Sequence, residues 1–121
     1  NPELARLWMK AYEDKELDDE ERFLLDNLFI DFLNIQRSNF VRANAVGEQN
    51  LGIQAVRSVI GEIAQSETLM TMWDVARPWT ELGSPDFVTA VQHGLSDSEE
   101  SKLINVYKPG SMLSARAQSQ T

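Results

Sequence analysis

The chain has 121 residues, the usual size of one domain, and a formal net charge of -8 at pH 7. Because nucleic-acid binding needs a basic surface, this acidity predicts a partner that is not a nucleic acid, and it equally disfavours an anionic membrane surface. The chain has no cysteine, which excludes disulfides, thiolate metal sites and cysteine nucleophiles. No stretch of the sequence approaches the roughly 20 apolar residues that are needed to span a bilayer. Since the chain begins at Asn1 instead of Met, we expect that an upstream segment has been removed.

The first predicted helix begins at Asn1. Asn as the N-cap, Pro2 at the first helical position and Glu3 after it form a helix start. Apolar residues then recur at the spacing i, i+3, i+4, i+7 and i+8: Leu4, Leu7, Trp8, Ala11 and Tyr12. This spacing predicts an amphipathic helix that ends near Glu13 or Asp14.

A second, long helix is predicted from about Asp19 to Ala43. Asp18 and Glu21 fit a capping box at its start, where the helix dipole favours acidic residues. Its apolar residues form a wide arc and a narrower strip. The wide arc holds Leu24, Leu25, Leu28, Phe29, Phe32, Leu33, Ile35 and Phe40, and the narrower strip holds Phe23, Ile30 and Val41. Two strips predict neighbours on more than one side of this helix.

Two amides, Gln36 and Asn39, fall inside the wide arc and are candidate polar residues of the core. A buried amide needs hydrogen-bond partners. The two side chains are therefore either satisfied within the core, which we favour, or they face a small polar cavity.

Three further helices follow. A third is predicted from about Glu48 to Gln65, and a fourth begins with Ser66 as its N-cap and is expected to end at Arg77, because Pro78 follows. Ser84, Pro85 and Asp86 start a short fifth helix, which Gly94 would cap with His93 as a cation at its negative end. No strand-like alternation occurs. The sequence predicts an all-α bundle of four main helices and a short fifth in residues 1–95, followed by a polar tail or docking segment in residues 96–121.

Several helix starts together resemble those of a group of uncharacterised bacterial proteins. The motifs are the opening Asn1-Pro-Glu-Leu-Ala-Arg-Leu-Trp8, the acidic start of the long helix, Met72-Trp73, and Ser84-Pro85-Asp86-Phe87. Proteins of that group have an N-terminal membrane helix followed by a helical domain that begins "NPELA…W". The resemblance covers about residues 1 to 95. It implies a domain beside a membrane, with its anchor absent from this chain, and it does not indicate on which side of the membrane the domain lies. It assigns no functional role to any position.

Catalytic and metal-binding signatures are absent from the sequence. The single histidine, His93, has no glutamate three residues before it, as di-iron bundles require. No Gly-x-Ser-x-Gly elbow occurs, and the six glycines are scattered instead of forming a phosphate loop. We therefore expect a protein that is not an enzyme, without catalytic, metal-binding or cofactor-binding residues, although 19 acids leave a carboxylate pair open.

Three functional hypotheses remain. The first is an interaction or scaffold domain, the soluble part of a membrane-anchored bacterial protein, which binds an unknown protein or itself through Arg77 and Trp79, residue types enriched in binding hot spots. The second is a small-ligand or lipid binder with a pocket near Gln36 and Asn39. The third is an acidic mimic of nucleic acid, since seven of the nine residues in 13–21 are acidic. The plain interpretation of that run is a solvated connection and a charged helix start.

Overall fold

The computed structural model describes the backbone of residues 2–107 and the side chains of residues 2–98. Five helices follow one another: α1 (Pro2–Tyr12), α2 (Asp19–Ala45), α3 (Gln49–Ile63), α4 (Glu67–Gly83) and α5 (Pro85–Tyr107). Residues 2–107 contain no strand, so the predicted all-α helical bundle is confirmed. The predicted N-cap Asn1 and the predicted tail beyond Tyr107 lie outside the described residues.

The helix starts follow from local hydrogen bonds. Asp18 Oδ1 accepts from the Glu21 backbone N–H at 2.8 Å, and Glu21 Oε1 accepts from the Asp18 N–H at 3.1 Å, which completes the predicted capping box of α2. Ser66 Oγ accepts from the Leu69 N–H at 3.2 Å, as predicted for α4. These side chains satisfy N–H groups that the first helical turn leaves without partners.

The described residues divide into two units, the first of which ends at Val91 and the second of which begins at Gln92. The core of the first unit is built from the inner faces of its helices, with Trp73 as its largest fully buried side chain. The other large members are Leu7, Leu25, Phe29, Val59, Ile63, Leu69, Phe87 and Val91. Phe40 and Phe87 place their ring centroids 5.5 Å apart, so α2 contacts the start of α5. Burial of these apolar surfaces is the main favourable term in folding.

Helix α2 and helix α3 approach each other closely at Gly52. A Cβ atom on this residue would lie 3.2 Å from Asn44 Oδ1 and 3.7 Å from the Ala43 Cβ. The wide arc of α2 is buried in part, but the narrower strip is exposed at Phe23, Ile30 and Val41. Within the described residues no neighbour covers this strip, so the prediction of neighbours on two sides was wrong there.

The sequence predicted that helix α4 ends at Arg77, but the helix continues through Pro78 to Gly83. Proline removes one backbone hydrogen bond, which the Asp74 carbonyl would have accepted. Asp74 and Pro78 are both exposed, so water can reach this carbonyl. Beyond the proline, the Thr80 hydroxyl donates to the Ala76 carbonyl at 3.1 Å and the Ser84 N–H donates to the Thr80 carbonyl at 2.9 Å. Trp79 therefore lies on a helix and not in a loop.

Helix α5 is also longer than predicted, since it passes Gly94 and ends at Tyr107. A glycine in a helix interior costs only about 1 kcal/mol, and no proline follows before residue 109. Residues 96–107 of the predicted tail are thus helical. His93 is not a helix-end cation: it is exposed, and its Nε2 lies 3.6 Å from Asp97 Oδ2, one turn further along α5.

Candidate interaction surface

The outer face of α4 exposes a line of large apolar side chains. Val75, Trp79 and Leu82 are 69%, 76% and 80% exposed. Their spacing of four and three residues places them on one side of the helix, and exposed Pro78 lies among them. We call these four residues the α4 stripe. An exposed tryptophan in a contiguous apolar patch is typical of a binding surface, because isolated exposed apolar residues are common but patches are not.

An acidic row follows one side of the α4 stripe. Glu67, Asp74 and Glu81 recur every seven residues and are all exposed. Asp74 and Glu81 each precede a stripe residue by one position, so the row lies roughly 100° around the helix axis from the stripe. No ion pair described for residues 2–98 includes these three carboxylates. The face therefore combines apolar area with a row of carboxylates.

Arg77 and Trp79, predicted as one interaction patch, are not brought together. Residues two positions apart on a helix point to different sides, roughly 200° apart. Trp79 is exposed, whereas Arg77 is half-buried and its Nε is buried without a hydrogen-bond partner among the described residues. The helical conformation of residues 77–79 separates the two side chains, whereas the sequence predicted that α4 would end at Arg77. Trp79 remains a candidate, and Val75 and Leu82 are the partners that sequence reasoning missed, although the period of α4 already places them beside Trp79.

Gln36 and Asn39 line a groove instead of entering the core. Both are half-buried, and the Asn39 Oδ1 accepts from Arg42 Nη2 at 2.7 Å. The groove lies between α2 and α3 and has a volume of about 650 Å³. Its other lining residues include Arg42, Ala43, Leu51, Gln54, Ala55 and Ser58. Of the two alternatives that the sequence left open for Gln36 and Asn39, their position on this groove agrees with the less favoured one, in which they face a polar cavity.

The acidic run in residues 13–21 contributes to the fold at three positions. Besides the capping box of Asp18 and Glu21, Asp14 Oδ1 accepts from the Thr68 backbone N–H at 2.8 Å, at the start of α4. Asp14 has a positive φ of 54°, a conformation that Asp tolerates better than most residues. The hydrogen bond from the Thr68 N–H holds the pKa of the Asp14 carboxyl below its usual value. Asp14 therefore ties the α1–α2 connection to α4.

Glu21 joins α1 to the start of α2. Its Oε2 lies 2.6 Å from Lys10 Nζ, and the hydrogen bond from Lys10, followed by that from the Asp18 N–H, lowers the pKa of the Glu21 carboxyl. These contacts support the plain interpretation of the acidic run, in which much of it forms a helix connection and a charged first turn.

Acidification is expected to destabilise the fold through Asp14 and Glu21. Because their pKa values are lower in the folded chain, the stabilisation is present above the ordinary values of 3.8 and 4.5 and is lost as the pH falls below them. Urea unfolding should show this loss when it is followed by circular dichroism at pH values from 6 down to 3 that are about one unit apart. The double variant Asp14→Asn/Glu21→Gln should lose less stability over the same range. The control Glu16→Gln removes an exposed acid from the same connection and should keep the wild-type profile; equal flattening by the control would contradict the assignment.

Neither a metal centre nor a membrane-spanning helix occurs in the part of the chain that the structure describes. No group of three or more His, Asp or Glu side chains there is arranged to hold a metal ion. None of the described helices is both long and apolar enough to cross a bilayer. In comparisons with known proteins, no family model, no curated protein and no solved structure matches this chain.

Proposed function

We propose that this chain is a non-catalytic interaction module that docks a partner protein on the outer face of α4. The observation that supports it best is the α4 stripe, in which three large apolar side chains are each more than two thirds exposed on one side of a helix. Leaving such a patch in water costs about 25 cal/mol for each Å² that a partner could cover. Trp79 at its centre is the residue type that most often carries binding energy.

The acidic row specifies the chemistry of the partner. A segment that covers the α4 stripe also comes close to Glu67, Asp74 and Glu81, so it should present lysines or arginines beside its apolar residues. A second copy of the same face would instead bring like charges together in a chain of net charge -8. The partner that fits is therefore an amphipathic helix with a basic row, laid along α4.

The location of the module is part of the proposal. The resemblance of its helix starts to those of membrane-anchored bacterial proteins supports a place beside a bacterial membrane. The anionic bilayer itself is a poor partner for a surface of this charge, so the docking partner should be another protein.

Docking can be tested with two synthetic amphipathic helices that share the same leucines and carry either lysines or glutamates on their polar faces. The lysine peptide should bind the whole chain, and Trp79→Ala should weaken that binding by about 2 kcal/mol, or roughly 30-fold. The glutamate peptide should bind far more weakly. Isothermal titration calorimetry measures both affinities.

Two variants separate docking on α4 from general adhesion. Phe23→Ala removes another exposed aromatic, on α2, and should leave the affinity unchanged. The pair Asp74→Lys/Glu81→Lys should reverse the preference in favour of the glutamate peptide. Equal binding of the two peptides, or a loss of affinity as large in Phe23→Ala as in Trp79→Ala, would refute the proposal, and concentration-dependent dimers lost in Trp79→Ala would point to a second copy as the occupant.

A second candidate function, binding of a small ligand or lipid, is favoured by the groove between α2 and α3. Its volume of about 650 Å³ lies within the range of small-molecule sites, which is roughly 300 to 1,000 Å³. Gln36, Asn39 and Arg42 supply polar groups above a floor that includes Ala43 and Ala55. The two candidates depend on different surfaces, since a ligand in this groove would not be sensitive to Trp79→Ala.

A further inference from the structure

A small apolar hollow lies where α1, α2 and α3 meet, away from both α4 and the groove. Its volume is about 290 Å³. Its lining consists of Leu4, Ala5, Trp8, Leu28, Phe32 and Glu62. Five of these six side chains are apolar or aromatic, and the sixth is a carboxylate. A hollow of this composition selects a ligand that is largely apolar and carries one positive charge.

The Glu62 carboxylate is held in place by a neutral donor. Trp8 Nε1 donates to Glu62 Oε1 at 2.6 Å. Burial, and then the Glu62 carboxylate, raise the pKa of the Tyr12 hydroxyl, which therefore stays neutral. Glu62 is half-buried, and none of the ion pairs described for residues 2–98 includes it. Its orientation is thus set, while its charge is left without a cation.

Two aromatic rings form a corner beside this carboxylate. The ring centroids of Trp8 and Phe32 lie 5.5 Å apart and the ring planes are inclined at 64°. Phe29 stacks on Trp8 with a centroid distance of 6.2 Å and supports it from the core. The faces of aromatic rings, and of tryptophan above all, attract organic cations within about 6 Å. Aromatic rings and a fixed carboxylate on one small hollow suit the same ligand.

We propose that the hollow lined by Trp8, Phe32 and Glu62 binds a small organic ammonium ion, with its alkyl groups against the rings and its charge near the carboxylate. Inorganic cations do not fit, because one carboxylate cannot replace the six to eight oxygen ligands that Ca²⁺ requires, or the octahedral shell of Mg²⁺. A neutral apolar ligand would leave the charge of Glu62 uncompensated. This site is independent of docking on α4, so either proposal can fail alone.

Choline and its neutral isostere 3,3-dimethylbutan-1-ol make a matched pair of probes, since they differ chiefly in charge. Each is titrated into the whole chain while the indole N–H signal of Trp8 is followed by nuclear magnetic resonance, with Trp8→Phe used to assign that signal. Choline should shift the Trp8 signal and bind at least about tenfold more tightly than the isostere. No shift at Trp8, or equal affinities for the two probes, would overturn the proposal.

Two variants test the roles of the residues. Glu62→Gln keeps an oxygen that can accept from Trp8 but removes the charge, so choline binding should weaken by about tenfold while isostere binding stays the same. Phe32→Leu removes one ring and should weaken choline binding even if Glu62→Gln proves unstable. The control Glu16→Gln removes an exposed carboxylate of the α1–α2 connection and should have no effect. Unchanged choline affinity in Glu62→Gln and Phe32→Leu would show that Glu62 acts only as a tie between α1 and α3.

Discussion

Replacing Trp73 by alanine is expected to lower the free energy of unfolding by about 3–5 kcal/mol. Trp73 is 0% exposed and is the largest fully buried side chain of the described residues. Its removal takes away the transfer energy of a large aromatic group and leaves a cavity that the neighbouring helices can close only in part. Since a domain is stable by only about 5–15 kcal/mol, much of the total would be lost. Urea unfolding followed by circular dichroism measures the change.

Trp79→Ala is the matched control for Trp73→Ala, because it makes the same change on the same helix. Trp79 is exposed, so its removal should alter the free energy of unfolding by no more than about 0.5 kcal/mol. The two tryptophans would then separate stability from binding: loss of the first destabilises the fold, and loss of the second weakens only docking. A loss of stability from Trp79→Ala as large as that from Trp73→Ala would show that the outer face of α4 is not exposed in solution.

Helix starts were the most predictable features of this chain, because they depend on residues within four positions of each other. The Asp18–Glu21 capping box and the Ser66 cap were both predicted from the sequence and are present. The core position of Trp73 was predictable in the same way, since Leu69, Met72 and Trp73 repeat at helical spacing and all are buried. Periodicity identifies the apolar face of a helix without reference to the rest of the fold.

Long-range contacts could not be predicted from this pattern. A helical wheel shows which faces of α2 are apolar but not which faces other helices cover. For this reason the alternative in which Gln36 and Asn39 are satisfied within the core was favoured, although they line a groove. Asp14 gave no local sign that it would accept from Thr68, which is 54 residues away. The candidate hollow likewise depends on Trp8 and Glu62, which only the tertiary fold brings together.

Pro78 shows how packing can override a local signal. Proline disfavours a helix interior by about 3 kcal/mol relative to alanine. Helix α4 nevertheless continues, because Leu69, Met72 and Trp73 anchor its first half in the core and the residues after the proline regain hydrogen bonds. The same continuation creates the α4 stripe, since only a helix places Val75, Trp79 and Leu82 on one side. The segment that Pro78 destabilises is therefore the same segment that has a candidate role in binding.

Pro78→Ala is expected to raise the free energy of unfolding by about 2 kcal/mol. The variant regains the hydrogen bond to the Asp74 carbonyl and relieves the clash of the ring with the preceding turn, which together stabilise the fold by about 3 kcal/mol. The unfolded chain becomes more flexible, which lowers the stability by about 0.4–1 kcal/mol. Pro85→Ala is the matched control. Pro85 occupies the first position of α5, where the missing N–H has no helical partner to lose, so its replacement should leave stability unchanged or lower it by up to about 1 kcal/mol. A fall in stability for Pro78→Ala would mean that α4 ends at Arg77 in solution, and the α4 stripe would then no longer exist as one face.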